Sequence, residues 1–300
     1  MNWIIIAIVS HFLTAIVYIL DKIVVSKTVI RPIIYSFYIG IFGGFTILLA
    51  PFGFELMPLK EVIISFIAGI LFIFAILYFY KAIKIYEVSK VIPIIGGATA
   101  FFTLILSYFF LEERLNFYQF LAFLMFVFGG IIIFWPKRSE VIINIFSFKY
   151  IFFILLPAFL FASSYVLTKL IFEKESFING FIWIRLGSVL GSCLLLISYK
   201  NREKIFKTGD KIKLKIIALP VISKLLSAFS FILLNCAIFL GKVSLVNALQ
   251  GIQYAFILII AFFFSVKFPK IIREEINKGS LFKKIAGILF ICLGLVFLTL

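Results

Sequence analysis

The chain has 300 residues, of which 64% are hydrophobic and 14% charged, with a formal net charge of +16. Soluble domains carry about 25% charged residues, so this composition excludes a soluble globular fold and places the chain in a bilayer. Its Lys and Arg are divided among short segments between apolar runs, with no aromatic-interleaved surface domain, which argues against nucleic acid as a partner and suits anionic lipid headgroups.

A bilayer-crossing helix needs roughly 20 mostly apolar residues, because every backbone N–H and C=O must be paired inside it. Ten runs meet that need, near residues 2–20, 33–52, 62–80, 91–111, 118–135, 150–172, 178–199, 216–240, 246–266 and 284–300. The first is not preceded by Lys or Arg and is not followed by a small-residue cleavage site, so it reads as a retained membrane helix. It carries His11, the single histidine, and Tyr18. His11 is placed at mid-span either to pack by hydrogen bonds or to exchange protons near neutral pH. The fourth run holds Pro93 and the small-residue stretch Gly96, Gly97, Ala98 and Thr99, which permits tight packing or leaves room for a ligand. Tyr165 on the sixth run stands four residues before Lys169, as Tyr18 does before Lys22. These tyrosines face an inter-repeat cavity or anchor at an interface. The seventh and eighth runs carry Arg185 and Lys224. Each either lines a central cavity or snorkels to the membrane edge on its long stem. On the ninth, Asn247, Gln250, Gln253 and Tyr254 are spaced three and four apart and share one helical face. Amides in lipid are costly, so that face looks inward, to line a wet cavity or to stitch helices.

The chain repeats itself. Phe12 to Lys22 returns as Phe159 to Lys169, and Ala82, Ile83, Val88, Ser89 and Val91 return in order as Ala237, Ile238, Val243, Ser244 and Val246, with Gly129 matched by Gly294. Five spans per copy is an odd number, so the second copy enters from the opposite face. The expected fold is an all-α integral membrane protein of ten transmembrane helices in two inverted five-helix repeats, residues 1–138 and 149–300, a plan in which the site lies near mid-membrane between the halves. Lys and Arg concentrate in the odd-numbered loops, above all 200–215 and 267–284. By the positive-inside rule those loops are cytoplasmic and both termini lie outside.

All thirteen acidic residues fall at helix ends or in loops, so a buried Asp or Glu that binds a cation or carries a coupling proton is not available. The interior ionisable groups are His11, Arg185 and Lys224, which suits an anionic or zwitterionic solute. Cys193, Cys236 and Cys292 lie in apolar runs without metal-ligand spacing and read as small buried hydrophobes. No P-loop, dinucleotide fingerprint, HExxH site or GxSxG elbow is present. No enzyme activity, cofactor or metal is expected.

The order of two five-span halves, the YILDK end of the first span with its copy YVLTK, the AI…EVSKVIP entry to the fourth span and its FFLEERL exit resembles the EamA-type members of the drug/metabolite transporter superfamily. The resemblance spans nearly the whole chain. Glu113 and Arg114 match the family's acidic–basic step after the fourth span, and Arg185 matches an arginine often found early in the second span of a repeat, where the first half has Tyr38. It implies a carrier of amino acids, sugars, nucleotide-linked compounds or other metabolites, usually outward, with cytoplasmic termini, opposite to the charge bias.

The expected function is export of a small anionic or zwitterionic metabolite across the cell membrane by alternating access, through His11, Tyr18, Tyr165, Arg185, Lys224, Gln250, Gln253 and Tyr254. The alternative is a non-transporting membrane scaffold or lipid-binding protein. The partners expected are a small-molecule solute and membrane lipids, with the chain a monomer or a homodimer.

Overall fold

A computed structural model describes residues 2–25, 32–85, 88–133, 148–206, 218–267 and 278–299. All described elements are helices: α1 (Asn2–Val25), α2 (Pro32–Gly43) continued by a 3-10 helix (Gly44–Phe52), α3 (Leu59–Ile85), α4 (Val88–Phe110), α5 (Phe117–Ile133), α6 (Phe148–Phe172), α7 (Phe177–Leu195), α8 (Tyr199–Phe206), α9 (Ala218–Leu240), α10 (Val243–Ala248), α11 (Gln250–Lys267) and α12 (Lys278–Thr299). Among the described residues, eight segments are long and apolar enough to cross a bilayer, and two shorter apolar helices cover 117–132 and 285–298.

Local chemistry sets the boundaries. Pro32 opens α2 at a position where its missing N–H costs nothing. Ser176 caps α7 by accepting the Asn179 N–H. Asn116 and Gln119 form a reciprocal capping box at the start of α5, Gln119 N–H donating to Asn116 Oδ1 at 2.8 Å and Asn116 N–H to Gln119 Oε1 at 3.3 Å. Glu112, with φ +53°, turns the chain out of α4 while the N–H groups of Leu111 and Glu113 both reach the Ser107 carbonyl.

α3 is the central element, packed on α6 and α7; α1 packs on α9 and α11, α4 on α6, and α5 on α12. Backbones meet where side chains are absent. A Cβ on Gly69 would overlap the Ile184 carbonyl and the Ser188 nitrogen, and one on Gly187 would sit 2.6 Å from the Phe66 Cα, so α3 and α7 touch chain to chain. Where no water competes, such small-residue contacts hold helices by packing. Rings of Phe45, Phe109 and Phe282 and the aliphatic chains of Leu48 and Leu225 are exposed on the outside, as a lipid-facing surface requires.

Four expectations change. The second span does not remain α-helical but tightens into a 3-10 helix from Gly44, and the connection between the seventh and eighth runs contains the short α8. The ninth span is broken at Leu249. Cys193 and Cys292 are exposed and Cys236 half-buried, so Cys193 and Cys292 sit on the outer surface and are not core hydrophobes. Asp21 and Lys22 lie outside the residues whose side chains are described.

Candidate functional site

Arg185 sits two turns into α7 on the face turned toward α3 and α9, and only 6% of it is exposed. Its guanidinium lies over three phenylalanine rings, 4.3 Å from the Phe231 centroid, 4.7 Å from Phe72 and 5.7 Å from Phe181. The end of α2 closes the fourth side, since a Cβ on Gly43 would stand 3.6 Å from the Arg185 Cδ. The Nε has no hydrogen-bond partner, and the ion pair of Lys174 with Glu61 does not include Arg185. Cation–π contacts contribute about 0.5–2 kcal/mol each, whereas an unpaired buried ion costs several kcal/mol. The arrangement is a cationic socket walled by rings, with no carboxylate among the described residues to balance its charge.

Tyr165 on α6 interacts electrostatically with Arg185, and Tyr18 on α1 interacts with both Tyr165 and Tyr254. Four of the residues singled out in the sequence, Tyr18, Tyr165, Arg185 and Tyr254, thus each lie within electrostatic range of another of the four, on α1, α6, α7 and α11. Lys224 stands apart, half-buried on α9 with its ammonium 4.7 Å from the Tyr35 ring of α2.

The amide-bearing ninth span is not one face. Its ladder ends with Leu249 N–H to Leu245 C=O and resumes after a tight Ile252 N–H to Leu249 C=O bond, and the bond from Gln250 N–H to Val246 C=O is not made. The side chains then diverge. Asn247 Nδ2 donates to Thr103 Oγ1 at 3.3 Å, the Tyr254 hydroxyl donates to the Ile92 carbonyl at 3.1 Å, and Gln253 meets His11 on α1 at 3.3 Å. Gln250 packs beside Gly96, where a Cβ would collide with the Tyr254 hydroxyl. A crevice among Pro93, Gly96, Gly97, Asn247, Gln250 and Tyr254 has room for about one water molecule.

Several participants escape sequence reading. Phe72, Phe181 and Phe231 carry no signal in a chain with 41 phenylalanines. Ser10, Thr14 and Ser230 join α1 to α9, with Ser10 Oγ donating to the Ser230 carbonyl and Ser230 Oγ to the Ser10 carbonyl, each at 2.8 Å. Glu113 bridges two elements. Its carboxylate accepts the Val243 N–H at 2.8 Å and the Ser244 hydroxyl at 2.8 Å, while Lys242 Nζ donates to the Arg114 carbonyl and to Gln119 Oε1. The exit of α4 therefore caps the entry of α10. Glu113→Ala is expected to destabilise the protein by about 1–2 kcal/mol, read as an earlier thermal unfolding midpoint in detergent.

Residues 1–135 match the model of the EamA-like transporter family. No curated protein matches the chain. Twenty solved chains resemble it in structure; one protein crystal structure aligns with a TM-score of 0.61 over 96% of this chain and 97% of its own length at 13% identity, a likeness of fold. The resemblance carried by the YILDK, EVSKVIP and FFLEERL segments is borne out over the matched residues. Residues 1–135 are thus similar to the EamA-like transporter family, and among the described residues eight segments are long and apolar enough to cross a membrane.

Proposed function

We propose that the chain is a ten-span carrier built from two inverted halves, 1–138 and 149–300, that exports a small anionic or zwitterionic metabolite across the cell membrane by alternating access. Arg185 carries the reading: a buried cation without a described carboxylate partner suits a solute that brings its own negative charge. The neighbour pattern supports the two halves. Exchanging α1 with α6, α3 with α9, α4 with α10 and α11, and α5 with α12 turns the α1–α9 contact into α6–α3 and the α1–α11 contact into α6–α4, while α5–α12 maps onto itself. At that last seam a Cβ on Gly129 would meet Ile291 and Phe290, and one on Gly294 would meet Phe126 and Met125, which are the repeat equivalents of one another.

One exchange fails, and the failure fits a carrier. α3 is sealed against α7, but α9 makes no comparable contact with α2 among the described residues. The sealed end also holds Trp183 Nε1 donating to the Glu55 carbonyl at 3.0 Å, Glu55 N–H donating to Asn179 Oδ1 at 3.0 Å, and the Lys174–Glu61 pair at 3.0 Å. The described residues hold no half-turn copy of that seal, as expected of a molecule closed toward the even loops.

The test is flux into proteoliposomes loaded with a panel of amino acids, organic acids and phosphorylated metabolites. Uptake of at least one anionic or zwitterionic solute, competed by its own unlabelled form, is expected. Folded protein that moves none of them overturns the reading. The second reading, a non-transporting scaffold or lipid-binding protein, draws on the engaged Asn247, Gln253 and Tyr254 side chains. It predicts that the folded protein moves no solute and that separate substitution of Arg185, Lys224 and Gln250 unfolds it.

A further inference from the structure

His11 is 4% exposed and has a partner on each ring nitrogen: Nε2 lies 3.4 Å from the Val246 carbonyl and Nδ1 lies 3.3 Å from Gln253 Oε1. With the Gln253 amide turned this way, both partners are acceptors. The Val246 carbonyl is available because the break at Leu249 removes its helical donor, the Gln250 N–H. A neutral imidazole has one N–H and one lone pair, whereas an imidazolium has two N–H groups. The neutral ring can serve Val246 through Nε2, but its Nδ1 lone pair then opposes the lone pairs of Gln253 Oε1. Gln253 is 2% exposed, and its Nε2 has no partner in this arrangement.

We infer that His11 is a proton-binding site, with the freed Val246 carbonyl and the Gln253 amide as its two acceptors, and that the proton it takes is a co-substrate of the carrier. The proton enters on Nδ1 and is then donated to Gln253 Oε1. On its loss the Gln253 amide must turn over, presenting Nε2–H to the bare Nδ1. The protonated ring ties α1 to the ninth span, across the two halves, by donating at both nitrogens, and the neutral ring ties it by donating at Nε2 and accepting from the turned amide at Nδ1. Cycling the proton therefore turns the Gln253 amide over and back at a contact between the halves, next to Tyr254.

The surroundings leave this switch to His11 itself. The elements packed against α1 are α9 and α11. Their titratable groups with described side chains are Lys224, which lies over the Tyr35 ring, half-buried Cys236, and Tyr254, whose hydroxyl donates to the Ile92 carbonyl. On α1 itself Tyr18 stands two turns away and interacts with Tyr165 and Tyr254. The described interactions of His11 are with Val246 and Gln253 alone.

Because the chain has a single histidine, protein labelled with 15N-histidine reports His11 without assignment. In nanodiscs titrated from about pH 9 to about pH 4.5, a range that spans ordinary imidazole titration, the expected result is conversion from one protonated ring nitrogen to two. In Gln253→Leu, the two-nitrogen form is expected to be lost over that range while the protein elutes as a folded monodisperse species. A wild-type ring that stays in one neutral tautomer throughout overturns the inference, whether or not the variant folds, and so does a Gln253→Leu titration identical to that of wild type. The proton's part in transport rests on the carrier reading and is tested separately. In His11→Gln, acceleration of solute flux by an imposed pH gradient is expected to be lost. Unchanged acceleration overturns the co-substrate role. Absence of all flux from wild type sinks the carrier and leaves the titration standing.

Discussion

Arg185→Gln is expected to lower transport by about 100-fold while raising thermal stability. A charge-assisted hydrogen bond to a bound anion is worth roughly 1.5–3 kcal/mol, and each 1.4 kcal/mol is about tenfold in affinity. The rise in stability follows from the socket itself. A guanidinium enclosed by Phe72, Phe181 and Phe231, with its Nε unpaired, is an uncompensated ion whose removal relieves a desolvation penalty. Arg185→Lys keeps the charge but loses the planar group that stacks on the rings and grips a carboxylate in two places, so a loss of about tenfold is expected. Paired measurements of flux and unfolding temperature decide the matter. A scaffold role predicts that both fall together, whereas a binding role predicts that they move in opposite directions.

Gly187→Leu and Gly69→Leu are expected to abolish the folded protein. At each, the first carbon of any side chain would collide with backbone of the facing helix; neither backbone can move aside without parting α3 from α7. Overpacking of this kind exceeds the about 1–3 kcal/mol of an ordinary inserted methylene. Gly97→Ala is the control, since its Cβ would stand 3.4 Å from Ile131 Cδ1, an ordinary contact, and a change under about 1 kcal/mol is expected there. Size-exclusion profiles of fluorescently tagged variants separate the two classes.

The helical fold is legible in the sequence because lipid permits few solutions: a run of apolar residues must satisfy its own backbone, and each run read from the sequence falls on a helix or a pair of helices. The break at Leu249 is harder to see. No Pro marks it, and Gly251 is its sole local sign beyond the amides themselves, so spacing alone puts Asn247, Gln250, Gln253 and Tyr254 on one face, which the structure divides between α1 and α4. Arg185 stands out as a charge among apolar residues, but the rings around it do not, because Phe72 and Phe231 come from helices far apart in sequence and resemble every other phenylalanine. The link from Glu113 to Val243 is likewise hidden: sequence supplies the carboxylate, and only the meeting of α4 with α10 supplies the N–H group it accepts.

On the proposed two-half plan, the seam where Gly129 and Gly294 each receive the other helix is self-complementary. A surface that fits a rotated copy of itself is the kind on which a homodimer assembles, so fusing two such units end to end would require no new contacts. The fused form then frees each unit to change alone. Arg185 faces no arginine from Tyr38, and the division of labour between a charged partner and a plain one is open only to a protein whose two subunits no longer share one gene segment.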